Sequence, residues 1–175
     1  MKEKRSLHYL IALAGILIGV CLDQFTKYLA VLHLKGQAPL VLIDGVFQLE
    51  YLENRGAAFG LFQGQRLFFF LSAGVILAIV VWFYLRVPME RRYLVLRILA
   101  VLIVAGAIGN FIDRLCLGYV VDFFYFCLID FPIFNVADIY VTVSTFVLLF
   151  VMFFYYKEED LDRIFRGRKG QRTED

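Results

Sequence analysis

Four apolar runs dominate the chain, and each is long enough to cross about 30 Å of hydrocarbon, which takes roughly 20 helical residues. They run from about Leu7 to Leu32, from Leu67 to Leu85, from about Tyr93 to Ile112 and from Ile139 to Tyr156. The second and fourth hold no charge at all. The first is interrupted near its end by Asp23 and Lys27, and the third carries Arg97 one turn inside its start, where a long side chain can snorkel to the interface. With 61% apolar residues and only 19% charged ones in 175 residues, the composition excludes an ordinary soluble domain and leaves room for one membrane-embedded domain, 1–175.

Charge placement orients the runs. If both termini lie inside, 13 of the 18 Lys and Arg residues are cytoplasmic: Lys2, Lys4, Arg5, Arg86, Arg91, Arg92, Arg97, Lys157, Arg163, Arg166, Arg168, Lys169 and Arg172. Only Lys27, Lys35, Arg55, Arg66 and Arg114 fall outside. This leaves two outer segments, Leu34–Arg66 and Asp113–Val136, one short inner loop around Pro88, and a charged cytoplasmic tail, 157–175, with affinity for anionic headgroups. The basic head and apolar stretch of "MKEKRSLHYLIALAGILIGVC" also suit a cleaved leader, but Val20 is not the small residue a cleavage site wants and the apolar pattern continues past Cys21. An uncleaved first helix is the expectation.

In the first outer segment Phe47, Leu49 and Tyr51 alternate with Gln48, Glu50 and Leu52, a strand pattern entered by the turn residues Asp44-Gly45. The expected fold is therefore an all-α bundle of four transmembrane helices with a small extracytoplasmic β-sheet, Asn54 and Arg55 standing at the sheet's end and facing the bundle mouth. The second outer segment, "LCLGYVVDFFYFCLI" (115–129), is apolar enough to resemble a fifth span, but that crossing would place the basic tail outside. It is expected as a re-entrant or interfacial segment carrying Asp122 to membrane depth.

Six polar residues then converge on the outer third of the bilayer: Asp23, Asn110, Asp113, Arg114, Asp122 and Asp138. Ionisable groups at that depth are costly, so they face protein or a wet cavity and usually serve a function. Ordinary readings compete with that one. Asn135 and Asp138 suit a helix cap with an acid at the third position, and Asp23 with Lys27 forms an i,i+4 pair in the favourable order. Against them stands the spacing of Asp122 and Asp138, sixteen residues apart across an excursion whose ends return to one interface. Two close carboxylates in a low-dielectric site share a proton, leaving one as base and the other as acid, enough to drive water onto an amide carbonyl and protonate the departing nitrogen.

Five ordered blocks, "DQFTK" (23–27), "ENRGAAFG" (53–60), "GNFIDR" (109–114), "VVDFFYF" (120–126) and "FNVAD" (134–138), resemble the bacterial lipoprotein signal peptidases, or signal peptidase II. The resemblance implies an aspartic endopeptidase of the inner, or plasma, membrane. It would remove the signal peptide from diacylglyceryl-modified prolipoproteins, cutting just before the lipidated cysteine. Its catalytic pair falls on Asp122 and Asp138. Asp23, Lys27, Asn54, Asn110, Asp113, Arg114 and Asn135 become substrate-binding or dyad-supporting residues, and "RGAAFG" supplies small residues for close backbone approach.

Other classes fit less well. A proton- or ion-coupled transporter needs a polar path across the bilayer that the second and fourth runs do not offer. A membrane thiol oxidoreductase needs a reactive cysteine pair on the outer side, and a scaffold subunit leaves the clustered acids unexplained. Cys21, Cys116 and Cys127 form no metal-like pattern. Cys116 and Cys127 share the outer side and are able to pair, though buried free thiols are the expectation. With only His8 and His33, a histidine-based metal site is not expected, nor are a cofactor or a nucleic-acid partner. Prolipoproteins and membrane lipids are the expected partners, and a monomer is the default.

Overall fold

The computed structural model describes residues 2–56 and 66–165; residues 57–60 of "RGAAFG" and 166–175 of the charged tail, with Arg166, Arg168, Lys169 and Arg172, lie outside them. Five helices and three strands follow in order: α1 (Lys2–Leu34), β1 (Leu40–Ile43), β2 (Phe47–Asn54), α2 (Arg66–Arg86), α3 (Leu94–Cys116), β3 (Val120–Tyr125), α4 (Val136–Phe154) and α5 (Glu158–Phe165). Helices α1 to α4 are each long and apolar enough to cross a membrane. They form a bundle in which α3 is central and packs on α1, α2 and α4. The exposed faces of α1, α2 and α4 carry side chains such as Ile18, Leu71 and Phe146, 62–70% open, the surface that lipid covers.

The three strands form one antiparallel sheet in the order β1-β2-β3 at the end of the bundle where α1 finishes. The β1–β2 turn depends on Gly45, whose φ of 65° an L side chain rarely adopts, and closes through Val46 N–H donating to the carbonyl of Ile43 at 3.0 Å. The segment expected to be re-entrant or interfacial is a true strand, β3, paired with β2 in a register that places Asp122 opposite Leu52 and Val120 opposite Asn54. Its alternation explains the difference. Val121 and Phe123 pack with Ala30 and Leu34 at the end of α1, which turns Val120 and Asp122 to the other face, where they line a cavity. The β-branched and aromatic residues of "VVDFFY" suit such a half-buried sheet as well as they suit lipid.

At the opposite end a second buried cluster unites Val87, Tyr93, Leu96, Tyr156 and Ile164. Here Arg97 does not snorkel. Its side chain is buried, and its guanidinium donates to the carbonyl of Pro88 at 2.9 Å, so the inter-helix turn supplies the acceptor that water was expected to supply. Helix α5 docks on the same cluster. Asp160 accepts from Arg92 at 2.8 and 2.6 Å and from the Tyr93 hydroxyl at 2.8 Å, which hold its carboxyl below the usual carboxylate range. The three cysteines are free thiols as expected, but not buried ones, since Cys21 and Cys116 are exposed and Cys127 is half-buried.

Candidate active site

Helix α4 begins with a full capping box. Asn135 Oδ1 accepts from Asp138 N–H at 3.0 Å, and Asp138 Oδ2 accepts from Asn135 N–H at 3.1 Å. The capping role weighed for Asp138 is therefore real, but it occupies only one carboxylate oxygen. The other, Oδ1, accepts from Asn110 Nδ2 at 2.7 Å and lies at the cavity. Asp122, 1% exposed, accepts from Asn135 Nδ2 at 2.6 Å on Oδ1 and from Asn54 Nδ2 at 2.8 Å on Oδ2. All four oxygens of the two carboxylates thus receive an N–H donor from Asn54, Asn110 or Asn135.

An amide helps a carboxylate only if its nitrogen points the right way, and each of the three is held by its oxygen. Gly56 N–H donates to Asn54 Oδ1 at 2.9 Å, Asp138 N–H holds Asn135, and Lys27 Nζ donates to Asn110 Oδ1 at 2.9 Å. Lys27 is itself buried between Asp23 and Asp113, 2.9 Å from each. Asp23 Oδ1 accepts from Ala137 N–H at 2.9 Å, satisfying a second free amide at the start of α4, and Asp113 Oδ2 accepts from Val121 N–H at 3.1 Å, fixing β3 beside Asp122. One lysine with two acids therefore ties α1 to α3, to the start of α4 and to β3. Among the described residues no buried side-chain nitrogen or oxygen lacks a partner.

Arg114 lies on the cavity side of α3, one turn beyond Asn110. Its guanidinium donates to the Gly56 carbonyl at 3.3 Å and sits 4.4 Å from the centre of the Phe69 ring. The cavity, about 470 Å³, is lined by Asn54, Asn110, Arg114, Asp122 and Asp138 against an apolar wall that includes Phe69, Phe131, Ile139 and Val143. Burial, and after it the nearby charge of Asp138, pushes the Asp122 carboxyl up to about 7. A carboxylic acid that keeps its proton near neutral pH beside a second carboxylate is able to move a proton to and from a bound amide.

The structure brings all nine candidate residues into this one network. It adds Gln24 and Gly109, to which sequence reasoning gave no role. Gln24 Nε2 donates to Asp113 Oδ1 at 2.9 Å and to the Gly109 carbonyl at 3.2 Å, and a side chain at Gly109 would collide with the Asp23 carboxylate. An amide beside Asp23 in an otherwise apolar run was the available signal for Gln24. Arg55, expected to face the bundle mouth, instead lies exposed over the Tyr119 ring and pairs with Glu53 at 3.4 Å.

A membrane-embedded protease is the class this chain matches in comparisons with known proteins. Residues 15–154 match the model of the family described as signal peptidase (SPase) II, and the chain belongs to that family. It is 41% identical over 146 residues to the lipoprotein signal peptidase of Streptococcus thermophilus (strain CNRZ 1066), covering 83% of this chain and 92% of the relative. It is 42% identical over 137 residues to that of Clostridium tetani (strain Massachusetts / E88), covering 77% and 86%. A bacterial membrane enzyme solved in meso at 2.3 Å superposes with a TM-score of 0.72 at 31% identity, over 82% of this chain and 87% of that one. Helix α5 lies beyond the residues that the family model matches.

Proposed function

We propose that the chain is an aspartic endopeptidase that removes the signal peptide from diacylglyceryl-modified prolipoproteins, cutting just before the lipidated cysteine. Asp122 and Asp138 are its catalytic pair. The observation that carries this reading is the placement of two carboxylates from different elements, every oxygen held by an amide, at a cavity that opens at the end of a membrane bundle.

In the resting enzyme Asp122 holds the shared proton and Asp138 is ionised. A water between them loses a proton to Asp138 as it attacks the scissile carbonyl, while Asp122 gives its proton to the carbonyl oxygen. The tetrahedral intermediate then collapses: Asp138 passes its proton to the departing nitrogen and Asp122 recovers its own. Asn54, Asn110 and Asn135 keep the carboxylates in place through this exchange, and Lys27, Asp23 and Asp113 hold the amides and the ends of β3 and α4. Arg114 offers guanidinium donors to the peptide backbone, where water lost at membrane depth must be replaced.

The substrate explains the architecture. The acyl chains of the modified cysteine stay in lipid, the apolar segment before it stays helical, and the scissile bond must lie where water still arrives. A pair at the sheet end of the bundle meets all three needs if that end faces outward, with both termini cytoplasmic, as the distribution of Lys and Arg supports. The whole chain then works as one peptidase unit in the bacterial plasma membrane. Reporter fusions after Leu42 and after Phe154 test the orientation: the first should report the outer side and the second the cytoplasm, and the reverse result would place the pair on the wrong face.

A further inference from the structure

Arg97 is a buried cation without an anion. Only 5% of it is exposed, and among the described residues no carboxylate lies within ion-pair distance; at the same end of the bundle Asp160 is taken by Arg92 and Glu90 by Arg163. One guanidinium nitrogen, Nη1, donates to the Pro88 carbonyl, while Nε and Nη2 find no oxygen acceptor among the described residues. No buried side-chain nitrogen there lacks a partner, so those two atoms lie at the small exposed edge of the residue. A charge this far from water is costly unless something pairs with it.

Ala100, Val101 and Val104 follow Arg97 at i+3, i+4 and i+7, on one face of α3. They floor a cavity of about 180 Å³ between α1 and α2, two helices that scarcely meet among the described residues. Ala12 of α1 and Val81 of α2 stand in its walls, and the Tyr84 hydroxyl is spent on the His8 carbonyl at 3.3 Å, so the groove is apolar. We propose that this groove binds an anionic phospholipid of the leaflet at the α5 end, its phosphate taken by Arg97 and one acyl chain lying along Ala100, Val101 and Val104. The phosphate supplies the anion that Arg97 lacks, and basic pockets between membrane helices are where such headgroups bind. Arg5, exposed one turn before Tyr9, adds a second positive charge at that end of α1. The rings of Tyr9 and Tyr84 border the groove with centres 6.2 Å apart, too close to admit a helix about 10 Å across but not a hydrocarbon chain. A free phosphate would pair with Arg97 and leave the apolar floor empty.

Binding of defined lipids to the delipidated full chain in detergent tests the site. Native mass spectrometry follows phosphatidylglycerol and phosphatidylcholine of equal chain length on the native chain and on Arg97→Gln, Ala12→Phe and Arg91→Gln. The native chain should retain one phosphatidylglycerol with a preference of about tenfold over phosphatidylcholine, as should Arg91→Gln, which removes an exposed charge of the same end. Arg97→Gln should abolish the preference. Ala12→Phe, which fills the groove and keeps Arg97, should lose the bound lipid. Phosphatidylglycerol should also raise the Tm of the native chain, and inorganic phosphate should not. Equal retention of the two lipids by the native chain, a preference that survives Arg97→Gln, or undiminished binding by Ala12→Phe would overturn the proposal. So would inorganic phosphate raising Tm as far as the lipid does. If Arg97→Gln does not fold, Ala12→Phe and the native chain decide the matter. None of these readouts depends on cleavage, so the peptidase reading stands or falls separately.

Discussion

Asp122 takes its character from what surrounds it: a strand position closed to solvent, two amide donors, and a second carboxylate nearby. With its carboxyl pushed up to about 7, the pair keeps one proton through acid and neutral pH and loses it above. The kcat/KM of the free enzyme should therefore fall as pH rises through about 7, and a profile flat to pH 9 would show that Asp122 is not the proton donor. The same group has a consequence for stability. Between about pH 4 and 7 folded Asp122 holds a proton that the unfolded chain has released, so its contribution to stability declines as pH rises across that window. Lys27 is the residue whose loss should cost most in folding. Lys27→Met leaves Asp23 and Asp113 as buried carboxylates without their cation, a change worth about 3–5 kcal/mol, and thermal unfolding in detergent should show a large fall in Tm. An unaltered Tm would mean that water replaces the ammonium.

At the scale of elements, the site is made where the start of α4, the end of α3 and strand β3 meet, and close packing fixes their spacing. A Cβ added at Gly106 would lie 2.5 Å from the carbonyl oxygen of Ala137, in the first turn of α4. Gly106→Ala should therefore push α4 outward, costing about 1–3 kcal/mol and lowering activity through a misplaced Asp138; normal stability and turnover would show that the helices tolerate the shift. The four helices were legible in the sequence because lipid leaves the backbone few alternatives, and their ends moved by only a few residues. Asn135 and Asp138 announced the cap of α4 equally well. Strand β3 was not legible as a strand. Its burial comes from α1 on one face and the cavity on the other, a tertiary fact that no local pattern carries. Arg97 was misjudged for the same reason, since its acceptor is a carbonyl in the adjoining turn rather than the interface.

Across the whole molecule, the proposed chemistry and the anchoring of α5 occupy opposite ends of the bundle. The sheet end gathers the titratable network. The other end is an apolar and aromatic cluster, with Tyr93 and Tyr156 stacked 5.7 Å apart and α5 fastened by Asp160. Nothing in the proposed chemistry calls on sulfur, and Cys21, Cys116 and Cys127 are free thiols. A variant with all three replaced should cleave at close to the parent rate, and its inactivity would demand a different chemistry. The most direct test of the account uses purified enzyme in detergent and a diacylglyceryl-modified prolipoprotein, with cleavage followed by gel shift for the native chain and for Asp138→Asn. The substitution preserves the size of the side chain and one oxygen, so the helix still forms. The account predicts a folded protein with product formation reduced by about a thousandfold or more. Cleavage at the native rate would mean that Asp138 only caps α4, and the catalytic pair would have to be given up.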